Sequence, residues 1–136
     1  MWYNVHMKYK TDKQVVFACR YYVVWCVKYR RRILTDAVCD RLKELITREC
    51  REMGIDLSDI RISDDHVYLQ LDMTPLLHVH RVVKALKARS SHVLREEFAE
   101  VRSRLPSLWT NAYFVSTCQE GLQEAVREFI VSQPKQ

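Results

Sequence analysis

The fold of this chain is decided by one run of strand-forming residues near its N-terminus, Val15-Val16-Phe17-Ala18-Cys19-Arg20-Tyr21-Tyr22-Val23-Val24-Trp25-Cys26-Val27-Lys28. Valine and aromatic side chains are the types that pack best on the pleated surface of a sheet. The run therefore predicts a long first strand over residues 15–28. Its central part, 23–27, is almost continuously apolar and is expected not to lie at an exposed sheet edge. Either the helices of its own chain or a second copy of the chain must bury it.

The rest of the sequence alternates between helical and strand patterns. Thr35 is a candidate N-cap for a helix that Gly54 ends. The apolar residues between them recur at helical spacing: Val38, Leu42, Leu45, Ile46 and Met53. The further predicted elements are strands over 55–62 and 66–72, a helix from Pro75 to about residue 98, a strand over 113–117 and a helix over 122–133. This order predicts an α+β, ferredoxin-like (RRM-like) sandwich: a four-stranded antiparallel sheet with helices on one face, plus a C-terminal helix.

Length and composition limit the class of protein. A chain of 136 residues with 48% apolar and 29% charged residues is expected to form one globular domain over 1–136. Because no apolar run is long enough to cross a bilayer and no cleavable signal pattern follows Met1, we expect no membrane partner. Five cysteines without C-x-x-C spacing predict neither a disulfide framework nor a zinc knuckle, so we expect a protein of the reducing cytoplasm. The net charge of +5 favours an anionic partner.

The most informative short stretch begins the predicted third strand and is Asp65-His66-Val67-Tyr68. Residues i and i+2 of a strand point to the same face, so a His-hydrophobic-His triplet aims two imidazoles at one ion. Here Tyr68 stands at the second position, and a neutral phenol is a poor ligand for a divalent ion. The triplet His78-Val79-His80 lies on a predicted helix, where i and i+2 point in nearly opposite directions, so it is not expected to form a metal pair.

Two clusters of basic residues favour contacts to phosphate groups. The first leaves the predicted first strand, and Tyr29 lies within it as a possible stacking ring. The second follows one side of the predicted second helix, for which a merely solvated helix face is the alternative explanation. Together with the net charge, the clusters favour an anionic partner, and the family resemblance given below makes DNA the expected one. The candidate DNA-binding residues are Lys28, Arg30, Arg31, Arg32, Arg81, Lys84, Arg89 and Arg95.

Several longer motifs occur in a fixed order around these residues. They are Tyr22-Val23-Val24-Trp25-Cys26-Val27-Lys28-Tyr29-Arg30-Arg31, Lys87-Ala88-Arg89-Ser90-Ser91, Leu108-Trp109-Thr110-Asn111, Tyr113-Phe114-Val115-Ser116-Thr117 and Phe129-Ile130-Val131-Ser132-Gln133. In these motifs and their spacing, from about Val15 to Gln133, the chain resembles the single-tyrosine transposases of small bacterial and archaeal insertion sequences. These are the simplest His-hydrophobic-His, or HUH, enzymes.

The resemblance implies a particular chemistry. In such transposases two histidines, with a glutamine of the last helix, hold Mg²⁺ or Mn²⁺ over the scissile phosphate. A tyrosine of the same helix attacks phosphorus and forms a covalent 5′-phosphotyrosine link. The family partner is the single-stranded end of the element, folded into a hairpin, and two protomers share each active site in a homodimer.

Transferred to this chain, these roles fall on four residues. His66 matches the first histidine and Gln133 the helix glutamine, whereas Tyr68 stands at the second histidine and Phe129 at the nucleophile. A phenyl ring has no oxygen to attack phosphorus, and the divalent metal is expected to bind weakly or not at all. Phe129 and Gln133 are four residues apart on a helix and therefore share a face.

The sequence thus predicts a transposase-like protein that binds hairpin-forming single-stranded DNA as a homodimer but is catalytically inactive. One alternative is an active transposase with a rearranged site, for example one in which Tyr68 is a displaced nucleophile. Another is an RNA-binding module on the same topology, although the aromatic signature of an RNA recognition motif is missing. Taken alone, Phe129 also fits an ordinary core position, since Leu122, Val126 and Ile130 recur with it at helical spacing.

Overall fold

The structure is a computed structural model that describes residues 9–12 and 14–135. A short hairpin of β1 (Lys10–Asp12) and β2 (Val15–Phe17) precedes the main sheet. The chain continues through β3 (Cys19–Cys26), α1 (Asp36–Glu52), β4 (Asp56–Ile62) and β5 (His66–Met73). It ends with α2 (Val79–Glu97), α3 (Ala99–Arg104), β6 (Phe114–Ser116) and α4 (Leu122–Ser132).

The main sheet has four strands in the spatial order β4-β5-β3-β6, and every neighbouring pair is antiparallel. The predicted α+β ferredoxin-like sandwich is therefore confirmed. The two central strands of this sheet are β5 and β3. In their register Cys26 lies opposite His66, and Val24 lies opposite Tyr68.

The core lies between one face of the sheet and the helices α1 and α2. Along β5 every second side chain is buried, and these side chains are Val67, Leu69, Leu71 and Met73. They pack with Val23 and Trp25 of β3, which point to the same face. The predicted apolar face of the first helix is buried against them through Val38, Leu42, Leu45 and Ile46. Each fully buried side chain of this size stabilises the fold by about 1.5–3 kcal/mol.

The first strand differs from its prediction. Residues 15–28 form two strands and a turn, because the two halves have different partners: Val15–Phe17 pair with β1, whereas Cys19–Cys26 pair with β5 and β6. After Cys26 the chain turns through the short 3₁₀ segment Lys28–Arg30. Strand-forming composition cannot show where a chain changes its partner.

The second helix also begins later than predicted. Pro75 lies in a turn closed by a 3.2 Å hydrogen bond from the amide of Leu77 to the carbonyl oxygen of Thr74, and α2 begins at Val79. Proline presets the first central position of a turn as readily as the first position of a helix. His78 is the N-cap residue and His80 lies on the helix, so the His78–His80 triplet forms no pair on one strand face.

The apolar run of β3 is buried without a second copy of the chain. β3 is an interior strand, and Val23, Val24, Trp25 and Val27 are all 0% exposed within the monomer. Burial by the chain's own helices and strands, the alternative weighed above, is therefore what the structure has. The need to cover this strand no longer argues for a homodimer. Within the described part of the chain, no helix is long and apolar enough to cross a membrane.

Candidate functional site

His66 is held by the residue before it. Its Nδ1 lies 2.7 Å from Oδ1 of Asp65, and since an ionised carboxylate only accepts hydrogen bonds, Nδ1 carries the proton and donates it. The other oxygen of Asp65, Oδ2, lies 3.5 Å from Nε of Arg30. In the neutral imidazole this arrangement leaves the lone pair on Nε2, for which residues 9–12 and 14–135 provide no hydrogen-bond partner. It is the same arrangement by which carboxylates orient metal-binding histidines.

Tyr68 lies on the same face of β5 as His66, because the two are two residues apart on a strand. Its half-buried ring has the guanidinium of Arg61 5.8 Å from its centroid. Burial raises the pKa of the Tyr68 phenol above its ordinary value, and the negative charge of Asp59 adds to this. The phenol is thus neutral at pH 7. Within residues 9–12 and 14–135 no hydrogen bond joins Tyr68 to His66, whose partner is Asp65.

Helix α4 lies over the sheet face that carries Tyr68, and it places Phe129 over the half formed by β3 and β6. The ring centroids of Phe129 and Phe114 are 5.9 Å apart. Phe114 of β6 lies opposite Val24, which lies opposite Tyr68. These residues point away from α1 and α2, so α4 lies on the opposite face of the sheet. Phe129 is half-buried rather than a full core residue.

Gln133 caps the C-terminus of α4 and turns back on its own helix. Its Nε2 donates to the carbonyl oxygen of Phe129 and to Oγ of Ser132, each at 3.3 Å. The structure therefore brings His66 and Tyr68 together on β5, and Phe129 and Gln133 together at the end of α4. Among the described residues, no hydrogen bond connects the two pairs.

The donor set does not fit a divalent ion held by this chain alone. His66 offers one ring nitrogen, Tyr68 offers a neutral phenol, and Gln133 offers only its neutral amide oxygen on a side chain that its amide nitrogen turns back on α4. No group of three His, Cys, Asp or Glu side chains in the described part of the chain could hold a metal. Weak metal binding remains a prediction, and we derive no step through a metal.

The predicted DNA-binding residues fall into distinct groups. Arg30 is engaged with Asp65, and Arg95 donates from Nη1 to the carbonyl oxygen of Leu105 at 2.9 Å. Lys28 places Nζ 5.5 Å from the centroid of the Tyr29 ring. Two further arginines are ion-paired, Arg32 with Asp64 at 3.8 Å and Arg89 with Glu49 at 3.1 Å. The remaining three, exposed and without an ion-pair partner within 9–12 and 14–135, are Arg31, Arg81 and Lys84.

One polar cluster was not found from the sequence. Lys87 of α2 donates from Nζ to the carbonyl oxygens of Thr110 at 2.7 Å and of Asn111 and Ala112 at 3.4 Å. Burial, with a smaller contribution from Lys84, lowers the pKa of this ammonium from 10.5 to about 8. Trp109 Nε1 donates back to the carbonyl oxygen of Lys87 at 3.1 Å. The sequence motifs that contain Lys87 and Trp109 were both recognised, but no local sequence pattern shows that residues 22 positions apart are in contact.

The same segments border a cleft of about 290 Å³ beside α2. His80 and Tyr113 line it and are joined by a 2.8 Å hydrogen bond between Nδ1 and the phenol oxygen. Lys84 is the exposed cation among the residues that line the cleft. The hydrogen bonds of Lys87, Trp109 and His80 hold the segment before β6 against α2.

His66 lies on the sheet face opposite α1 and α2, and helix α4 packs over part of that face. This is the arrangement that the resemblance to the HUH transposases implies. The chain belongs to the IS200-like transposase family, whose sequence profile matches residues 15–133. It is 29% identical over 129 residues to the ISDra2 transposase TnpA of Deinococcus radiodurans, and the match covers 93% of this chain and 92% of that protein. It is 24% identical over 101 residues to the transposase for insertion sequence element IS200 of Salmonella typhimurium, covering 73% of this chain and 66% of the relative. The resemblance stated from the motifs is thereby confirmed.

Solved structures agree with this assignment. A crystal structure of a protein from Deinococcus radiodurans R1, described as a transposase, superposes with a TM-score of 0.88 at 28% identity and covers 93% of this chain and 99% of that one. A REP-associated tyrosine transposase, solved bound to a REP hairpin, superposes with a TM-score of 0.58 at 9% identity, covering 93% and 78%. The second likeness shows the fold alone.

Proposed function

We propose that this chain binds hairpin-forming single-stranded DNA as a homodimer and does not cut it. The observation that carries the proposal is an intact transposase scaffold on which the nucleophile position is Phe129 and the second histidine position is Tyr68. A solved relative of the same fold is bound to a DNA hairpin, which supports the choice of partner.

The absence of cleavage follows from the chemistry of the four site residues. The phenyl ring of Phe129 offers no oxygen to attack phosphorus. The hydroxyl of Tyr68 lies on β5 instead of on α4, and its raised pKa opposes ionisation. His66 Nε2 is one ligand where the family arrangement has three, so charge on a phosphoryl oxygen would be poorly neutralised.

The DNA surface that we propose is led by Arg31, Arg81 and Lys84. These side chains are exposed, and within residues 9–12 and 14–135 no acidic side chain neutralises them. Arg30 is instead ion-paired with Asp65 and Arg95 is hydrogen-bonded to the carbonyl oxygen of Leu105, so their contribution to phosphate binding is expected to be small. Phosphate contacts of this kind supply affinity that falls with salt.

The homodimer is supported by the resemblance and by surfaces that the monomer leaves uncovered. None of the side chains of α4 is fully buried, and Val131 on this helix is 66% exposed. Among the strands of residues 9–12 and 14–135, β6 has only β3 as a neighbour, and it carries the exposed Val115. A second copy that covers α4 and β6 would bury both valines. Light scattering at micromolar concentration is expected to give the mass of a dimer, and a monomer mass would contradict this part of the proposal.

Two assays on one pair of oligonucleotides test binding and inactivity separately. A labelled hairpin with single-stranded flanks is compared with a scrambled strand of the same composition, by fluorescence anisotropy at several salt concentrations. The hairpin is expected to bind more tightly, with salt-dependent affinity. Equal, weak and salt-independent binding of both strands would refute DNA recognition.

The same hairpin, incubated with Mg²⁺ or Mn²⁺ and run on a denaturing gel, is expected to give no covalent protein–DNA band. Cleavage by the unaltered chain would show that it is a catalytically active transposase. If that cleavage were lost in Tyr68→Phe, the nucleophile would be Tyr68. Retention of the band in Tyr68→Phe would place the nucleophile elsewhere.

A further inference from the structure

Three arginines that are far apart in the sequence line one depression of the surface. Arg31 and Arg32 follow the 3₁₀ segment after β3, and Arg104 is the last residue of α3. Together with Ile33 they line a depression of about 440 Å³, and within residues 9–12 and 14–135 no acidic side chain lines it. Arg104 was not a candidate from the sequence, because only the folded chain brings it beside residues 31–33.

The depression lies at the end of the helix layer. The apolar residues next to the three arginines in the sequence are Ile33, Val101 and Leu105, and all three are buried in the core between the sheet and the helices α1 and α2. A ligand in the depression would therefore contact the protein beside α3. It would not lie on the sheet face that carries His66 and Tyr68.

The backbone that carries Arg31 and Arg32 is fixed by the fold. The amide of Lys28 donates to the carbonyl oxygen of Leu108 at 2.8 Å, which ties this segment to the chain that follows α3. Tyr29 and Arg30 have positive φ angles of 58° and 52°, which residues other than glycine keep only where neighbouring contacts enforce them. Because the segment is ordered before a ligand arrives, binding pays less conformational entropy.

The guanidinium groups of the depression are available to an anion. In the described part of the chain no acidic side chain pairs with Arg31 or Arg104. Arg32 lies 3.8 Å from Oδ2 of Asp64, but these side chains are 80% and 44% exposed, and ion pairs as exposed as this one are weak. A phosphate can take the place of Asp64, since a guanidinium binds phosphate through two parallel N–H groups.

The residues of the depression also indicate which part of a DNA hairpin fits it. Among the described residues that line it there is no aromatic ring on which the base of an unpaired strand could stack. A double-stranded stem keeps its bases stacked inside and presents phosphates, which arginines contact without reading the sequence.

We infer that Arg31, Arg32 and Arg104 bind backbone phosphates of the double-stranded stem of the hairpin. The inference rests on the proposed hairpin binding and adds the site that holds the stem. It assigns Arg104, which lies outside the basic clusters recognised in the sequence, to the DNA-binding surface.

A blunt hairpin without single-stranded flanks tests the stem contact. Arg104→Ala removes an exposed side chain that has no ion-pair partner among the described residues, so the fold should be kept. Loss of one duplex phosphate contact lowers the salt slope by about 0.9, so the weaker binding of the variant should lessen by about 3.5-fold between about 50 and about 200 mM salt. Arg48→Ala on α1 is the matched control, because it removes one exposed arginine without an ion-pair partner in the same described ranges, and it should leave the slope nearly unchanged.

Two competing ligands distinguish the stem from other sources of phosphate. An unpaired strand of the same length and composition should lose less affinity on Arg104→Ala than the blunt hairpin does. Inorganic phosphate should displace the blunt hairpin no better than chloride of equal ionic strength. An equal or larger loss with the unpaired strand, or specific displacement by inorganic phosphate, would overturn the inference.

The outcomes separate this inference from the proposed function. Equal effects of Arg104→Ala and Arg48→Ala, or no effect of Arg104→Ala, would overturn the stem site and leave hairpin binding standing. Binding of the flanked hairpin without any binding of the blunt one would do the same. Failure of both hairpins to bind the unaltered chain would overturn the two together.

Discussion

Replacing the three unpaired cations is expected to flatten the salt dependence of DNA binding. The perturbation is the triple variant Arg31→Ala, Arg81→Ala and Lys84→Ala. These side chains are exposed, and no ion pair engages them within residues 9–12 and 14–135. Their removal should therefore take away phosphate contacts without breaking a bond of the fold.

The magnitude follows from the count of free cations. Each neutralised phosphate of a single strand contributes about 0.7 to the slope of the logarithm of affinity against the logarithm of salt, so three contacts contribute about 2. Between about 50 and about 200 mM salt, that difference in slope amounts to a factor of about 20 in relative affinity. Anisotropy titrations of a tailed hairpin over this range measure it.

A matched control separates local contacts from net charge. Lys43, Arg48 and Arg51 on α1 are also exposed and, among the described residues, have no ion-pair partner, so the triple alanine variant at these positions removes the same charge from another helix. It should change the slope much less. Equal flattening by both triples would show that only net charge matters. No flattening by the first triple would refute the phosphate surface.

Three further predictions concern the site residues and the hydrogen bonds between α2 and the segment before β6. Tyr68→His with Phe129→Tyr should form a covalent protein–DNA band with Mn²⁺, whereas either change alone should recover little because both lesions act on one transition state; a strong band from a single variant would contradict this. The lowered pKa of Lys87 means that the unfolded chain binds this proton more tightly. Relative to Lys87→Met, the unaltered chain should gain about 1–2 kcal/mol as pH rises from about 8 to about 10.5, because solvent around the partly exposed ammonium screens the effect, and urea melts with no such gain would disprove it. Trp109→Phe leaves the carbonyl oxygen of Lys87 and Oγ of Ser90 without their indole donor, so urea melts should show a loss of about 1–3 kcal/mol, and an unchanged midpoint would refute this.

The class of fold follows from local sequence patterns, and the candidate site positions follow from the family resemblance. Alternation along residues 66–73 and helical spacing along residues 36–52 each reflect one element that has one buried face. The order of such elements excludes most topologies. His66, Tyr68, Phe129 and Gln133 were identified because motifs around them recur in a known order, and the family match over 15–133 confirms the assignment of the chain. The roles of these four residues remain predictions.

The partners of these elements were decided only by the tertiary structure. Whether β3 is an edge or an interior strand depends on β5 and β6, which are far away in sequence, and its interior place removed one argument for a dimer. Likewise, Arg30 and Arg81 are equally basic in the sequence, but Asp65 engages the first and no acidic side chain among the described residues engages the second. The charge of a side chain is a local property, whereas its availability depends on which groups the fold brings within hydrogen-bonding distance.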